Sequence, residues 1–115
     1  ATFGGNPIAA AAALEVMSQL TPELLEGVRK KGEYIKDAIK SWSLPAVLEI
    51  RGMGLMLGVS VKGIPKNIAA KCIDKGLLML TAGSDAIRML PPLIISYEEI
   101  DKGLAILKNV LEEVK

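Results

Sequence analysis

The stretch VLEIRGMGLMLGVSV, running from Val47 to Val61, decides the fold. Beyond Ile50, apolar side chains fall on alternate positions, Leu55, Leu57, Val59 and Val61, while Met56, Gly58 and Ser60 stand between them. A period of two sends each set to its own face of a strand, so one face is built for a core and the other is not. Arg51-Gly52-Met53-Gly54 supplies the glycines that a tight reversal needs, and the whole stretch reads as a β-hairpin around those four residues.

Upstream, the period lengthens. Asn6 is a good N-cap and Pro7 suits the first helical position, which predicts a helix over Ile8 to Leu20. Thr21-Pro22-Glu23 repeats the start signal, and Leu24, Leu25, Val28, Ile35, Ala38, Ile39 and Trp42 recur at helical spacing to about Ser41; the two stretches read either as separate helices or as one kinked at Pro22. Downstream, Gly63-Ile64-Pro65 ends the strand, and Ile68, Ala69, Cys72 and Ile73 form one face of a short helix that stops before Gly76. Leu77 to Leu80 and Ala86 to Met89 read as two further strands joined by Ala82-Gly83-Ser84-Asp85. Ser96 and Glu99 have capping-box spacing ahead of a last helix lined by Ile100, Leu104, Leu107, Leu111 and Val114. The order α-β-β-α-β-β-α predicts an α/β (α+β) fold, a small, mostly antiparallel sheet covered by helices on one face.

Composition narrows the function classes. The 115 residues carry 14 basic and 13 acidic side chains and only four aromatics (Phe3, Tyr34, Trp42 and Tyr97), without a basic cluster, which argues against a nucleic-acid partner. One cysteine and no histidine speak against an internal disulfide and a metal site. No apolar run is long enough to span a membrane, and a soluble cytoplasmic protein is expected. Half of the residues are hydrophobic and mean hydropathy is +0.37. That surplus either faces a partner or reflects helices rich in alanine and leucine.

Several residues are candidates for chemistry. Arg88 is the lone charge in AIRMLPPLII, and on an extended strand it points away from Ile87 and Met89. Its planar fork pairs bidentately with a carboxylate, or it stands on a solvent-facing surface or beside a structural acid. Pro91 and Pro92 remove two amide donors and aim the chain after the strand. Thr2 brings a hydroxyl, and Gly4 and Gly5 leave amides unobstructed before a helix N-terminus; such a loop either contacts a phosphate or simply caps the helix. Arg51 lies near a site entrance or decorates the hairpin, Cys72 reads as a small core residue, and Lys30, Lys31, Lys62 and Lys66 read as solvated charges.

Taken together, TFGGNP at Thr2 to Pro7, RGMGLM at Arg51 to Met56 and IRMLPPL at Ile87 to Leu93 resemble the C-terminal portion of the class III pyridoxal-phosphate aminotransferases, and the resemblance runs the length of the chain. It implies that residues 21–115 form the small C-terminal domain of a fold-type I enzyme, with residues 1–20 a loop and helix linking to a large domain. It further implies that Arg88 binds the α-carboxylate of the substrate and that Thr2 reaches the cofactor phosphate of the neighbouring subunit in a homodimer. The implied substrates are an amino acid and 2-oxoglutarate. The short loop Ala82 to Asp85 followed by Pro91-Pro92-Leu93 is more similar to the members acting on N-acetylornithine than to those acting on ornithine or 4-aminobutyrate. No lysine here matches the one that anchors pyridoxal phosphate, which in the family lies upstream, so this piece alone is expected to be inactive and not to bind the cofactor. The alternative is a free-standing, non-catalytic α/β ligand-binding or interaction module.

Overall fold

The computed structural model describes residues 2–114, with Ala1 and Lys115 outside the described residues. Its elements run α1 (Pro7–Gln19), α2 (Pro22–Ser41), β1 (Val47–Met53), β2 (Met56–Val61), α3 (Pro65–Asp74), β3 (Leu80–Ala82), β4 (Ala86–Met89) and α4 (Tyr97–Glu112). The fold is the expected one, except that the first helical unit is divided in two.

The helix starts follow from local chemistry. Asn6 Oδ1 accepts the amides of Ile8 and Ala9 at 2.9 and 3.3 Å, and Thr21 Oγ1 accepts that of Leu24 at 3.2 Å. Between them Leu20 leaves the helical conformation, so Thr21 caps a new helix instead of continuing a kinked one. At α4 the capping box is complete: Ser96 Oγ accepts from Glu99 N at 3.2 Å, and Glu99 Oε2 accepts from Ser96 N at 2.9 Å.

The four strands pair antiparallel throughout in the order β1-β2-β4-β3. The hairpin turns two residues later than expected. Met53 pairs with Met56, Gly54 and Leu55 form the turn, and Arg51 and Gly52 remain inside β1. Helix α2 fixes that position, because a Cβ at Gly32 would stand 2.1 Å from the Gly54 carbonyl oxygen; only two bare backbones come so close. The strand expected over Leu77 to Leu80 also moves, and pairing begins only at Leu80. The Leu77 amide donates instead to Cys72 O at 2.8 Å, closing the end of α3 at Gly76, whose φ is +89°.

One face of the sheet carries Leu57, Val59 and Ile87, which pack with Ile35 and Ile39 of α2, Cys72 of α3, and Leu107, Val110 and Leu111 of α4. Burying each large side chain contributes about 1.5–3 kcal/mol, so these three helices are held to the sheet by one continuous core. Helix α1 takes no part in it: every residue from Thr2 to Gln19 is exposed.

Candidate functional site

The strand register sorts the opposite face of the sheet into rows. Arg51 pairs with Gly58, Gly58 with Arg88, and Arg88 with Leu80, so a single row crosses all four strands. Beside it lie Met53 and Met56, exposed at 87% and 65%. On its other side stand Glu49, Ser60, Ala86 and Ala82. An arginine-bearing row is thus bordered by an apolar row and by a row with an acid.

The two arginines differ. Among the described residues, no acid lies within ion-pair distance of Arg88, which is exposed at the centre of an otherwise uncharged strand. Arg51 instead leans towards the acidic row: Nη1 donates to Glu49 Oε2 at 3.2 Å, and Nη2 lies 4.0 Å from Asp85 Oδ2. Ser60, buried on this face, donates its hydroxyl to the same Asp85 oxygen at 3.2 Å. All three charged groups of this cluster keep more than half of their side-chain surface in water, where an ion pair is worth little and is readily exchanged.

Gly58 separates the arginines. A Cβ built there would meet only Arg51 Cγ, at 3.9 Å, an ordinary contact, and its φ lies outside the left-handed region. Neither crowding nor backbone conformation calls for glycine. This differs from Gly52, with a φ of +133° and a Cβ that would lie 2.1 Å from Met56 O.

After Arg88 the chain turns sharply. Ile95 N donates to Pro92 O at 3.0 Å, and Lys31 of α2 donates to Leu93 O at 3.4 Å. Lys31 is therefore not purely a solvated charge: it helps hold the Pro91-Pro92-Leu93 segment. On the core side of that segment runs a groove lined by Met79, Leu90, Pro92, Ile95 and Leu104. The groove is apolar, and its one carboxylate, Glu99, is held in the capping box. The two arginines lie on the opposite face of the sheet.

Thr2 lies in the exposed turn ahead of α1, where Gly5 has a φ of +77° and Asn6 N donates to Phe3 O at 3.3 Å. Among the described residues, no hydrogen bond links this turn to the sheet or Thr2 to Arg88. The cap has also changed what the turn can offer. Asn6 already occupies the amides of Ile8 and Ala9, leaving the Thr2 hydroxyl and the loop's own N–H groups for an anion. Cys72 is a core residue as expected, and burial pushes its thiol up from its ordinary value. The sequence assigns Gly58 to a strand and Asp85 to a turn, with no site role for either or for Glu49. Alternation along each strand signals their faces, but no local pattern signals that β2 lies between β1 and β4.

A small antiparallel sheet backed by three helices carries on its open face an arginine, Arg88, that has no acidic partner among the described residues. Residues 1–111 match the family Aminotransferase class-III, and the chain belongs to that family. It is 42% identical to the acetylornithine aminotransferase of Caldanaerobacter subterraneus over 99% of its own length, and 40% identical to that of Listeria monocytogenes over 96%. In both cases it spans 30% of the relative. Among solved structures, it resembles the N-acetylornithine aminotransferase of Stenotrophomonas maltophilia with a TM-score of 0.84 at 33% identity, over 94% of this chain and 32% of that one. The ornithine aminotransferase of Toxoplasma gondii, whose active site is described with partial occupancy of pyridoxal phosphate, gives 0.87 at 30% identity, over 99% and 29%.

Proposed function

We propose that this chain is the substrate-carboxylate domain of a cytoplasmic transaminase that moves an amino group from N-acetylornithine to 2-oxoglutarate in arginine biosynthesis. The observation that carries the proposal is the Arg88 guanidinium, exposed and without an acidic partner among the described residues, on a strand whose other face is locked into the core. A rigid strand fixes the direction from which a carboxylate is met, and the planar fork fixes its plane. Residues 1–20 then serve as the connection to the remainder of the protein, which accounts for a helix that buries none of its apolar side chains here.

Pyridoxal phosphate, when bound, supplies the electron sink for amino transfer. The residues of this chain fit only its phosphate edge: the Thr2 hydroxyl and the N–H groups of the Phe3 to Gly5 loop, offered across a homodimer interface. An anchoring lysine is not among the motifs matched here, so the chain acts by binding and orienting the ligand. The 42% identity to an acetylornithine enzyme favours N-acetylornithine as donor; the likeness to an ornithine aminotransferase keeps ornithine as the alternative. Competition between the two donors on the full-length protein separates them.

The direct test is Arg88→Lys in the full-length protein. Losing a bidentate, charge-assisted pair costs about 1.5–3 kcal/mol, so affinity for 2-oxoglutarate and for the donor is expected to fall by roughly ten- to a hundred-fold, with cofactor absorbance unchanged. Unaltered apparent affinity for both substrates rejects the assignment.

A further inference from the structure

The row Arg51, Gly58, Arg88 carries more than one arginine can explain. A glycine inside a strand weakens it, and is found where a bend, a bulge or the close approach of a ligand requires one. At Gly58 the strand is regular, the register with both neighbours is unbroken, and a Cβ would fit. The missing side chain therefore serves the space above the strand. That space is flanked on both sides by guanidinium-bearing residues, whose Cα atoms stand two strand spacings apart, roughly 10 Å. Both side chains are long enough to meet over Gly58.

We propose that Arg51 is a second binding residue for the ligand carboxylate, closing on it from the side opposite Arg88, with Gly58 as the bare floor between them. The inference rests on the transaminase reading and adds to it the other half of the anion site. In the ligand-free chain Arg51 is parked on Glu49 and Asp85, both exposed. Those acids compete for it, and an arriving carboxylate takes it from them. The exchange gives up two exposed ion pairs for a seat between two guanidiniums, where the anion accepts from both forks. Met56, next in β2 on the same face, then borders the carbon chain of the ligand.

The test measures calorimetric binding of two unreactive probes, glutarate and butyrate, to the full-length protein. Arg51→Gln is expected to weaken both probes by about ten-fold. Gly58→Val keeps both guanidiniums but fills the floor, and is expected to weaken both at least as much, with Gly58→Ala in between; thermal melts confirm that each variant is folded. Glu49→Gln removes the nearer of the two competing acids and is expected to tighten both probes by about two- to five-fold, a gain that a merely structural role for Arg51 does not produce. Arg88→Gln serves as the reference. If it binds the probes like the wild type, the transaminase reading falls and this inference with it. If Arg88→Gln loses binding while Arg51→Gln and Gly58→Val do not, this inference alone is overturned. Loss on glutarate with butyrate unaffected, or no gain from Glu49→Gln, also overturns it.

Discussion

The two faces of the sheet are made by the same strands and differ in everything else. Val59 and Ile87, opposite each other across β2 and β4, are fully buried among α2, α3 and α4. One residue along, Gly58 and Arg88 are also opposite each other, yet Arg88 stands in solvent and Gly58 has no side chain at all. Alternation thus separates duties: one face holds the fold, and the other is relieved of that work and is free to carry charge, bare backbone and exposed methionine. Substitutions on the first face should cost stability, and substitutions on the second should cost binding.

That division can be broken at graded depths. The largest effect is expected from Ile87→Ala, which opens a cavity where three helices meet the sheet and should lower unfolding free energy by about 2–5 kcal/mol in a urea titration of the chain. A loss below 1 kcal/mol would mean that the helices are not held through this face. Gly32→Ala comes next. Its Cβ would collide with the Gly54 carbonyl, and about 1–3 kcal/mol of overpacking should loosen the hairpin tip, seen as faster amide exchange at Met53 to Met56.

A smaller effect belongs to the clamp between α3 and α4, where Lys75 and Lys71 donate to Glu113 at 2.7 and 2.9 Å. The hydrogen bond from Lys75, then that from Lys71, lowers the Glu113 carboxyl from 4.5 to about 2. A depressed carboxyl adds stability that is fully present above its unfolded value and lost as pH falls through the folded one. Glu113→Gln should therefore melt a little below the wild type at neutral pH, and the two melting curves should converge as pH drops from 4.5 towards 2. Parallel curves over that range would remove the clamp. The smallest effect is expected at Gly58→Ala, which should leave stability unchanged or raise it by up to about 1 kcal/mol, because its Cβ meets only Arg51 Cγ. A clear loss of stability there would turn Gly58 into a structural glycine and collapse the contrast between the faces.

Much of this was legible before any coordinates. The caps at Asn6, Thr21 and Ser96 announce themselves through side chains that bond amides within three residues, so the helix starts were readable. Strand alternation correctly divided Leu57, Val59 and Ile87 from Arg88. The hairpin turn was misplaced because its position is decided by Gly32, more than twenty residues away on α2. The strand expected at Leu77 failed for a similar reason: its amide is spent on the end of α3 before pairing begins.

Arg88 was readable as a candidate because a lone charge in an apolar run is visible in one dimension. The partnership of Arg51, Gly58 and Arg88 was not, since it requires β2 to lie between β1 and β4 in a fixed register. Local sequence determined which residues share a face, because the pleat alternates with a period of two wherever a strand forms. Which of those residues become neighbours was decided only by the tertiary structure, because strand order and register come from packing the whole core against the helices, and no short segment contains that information.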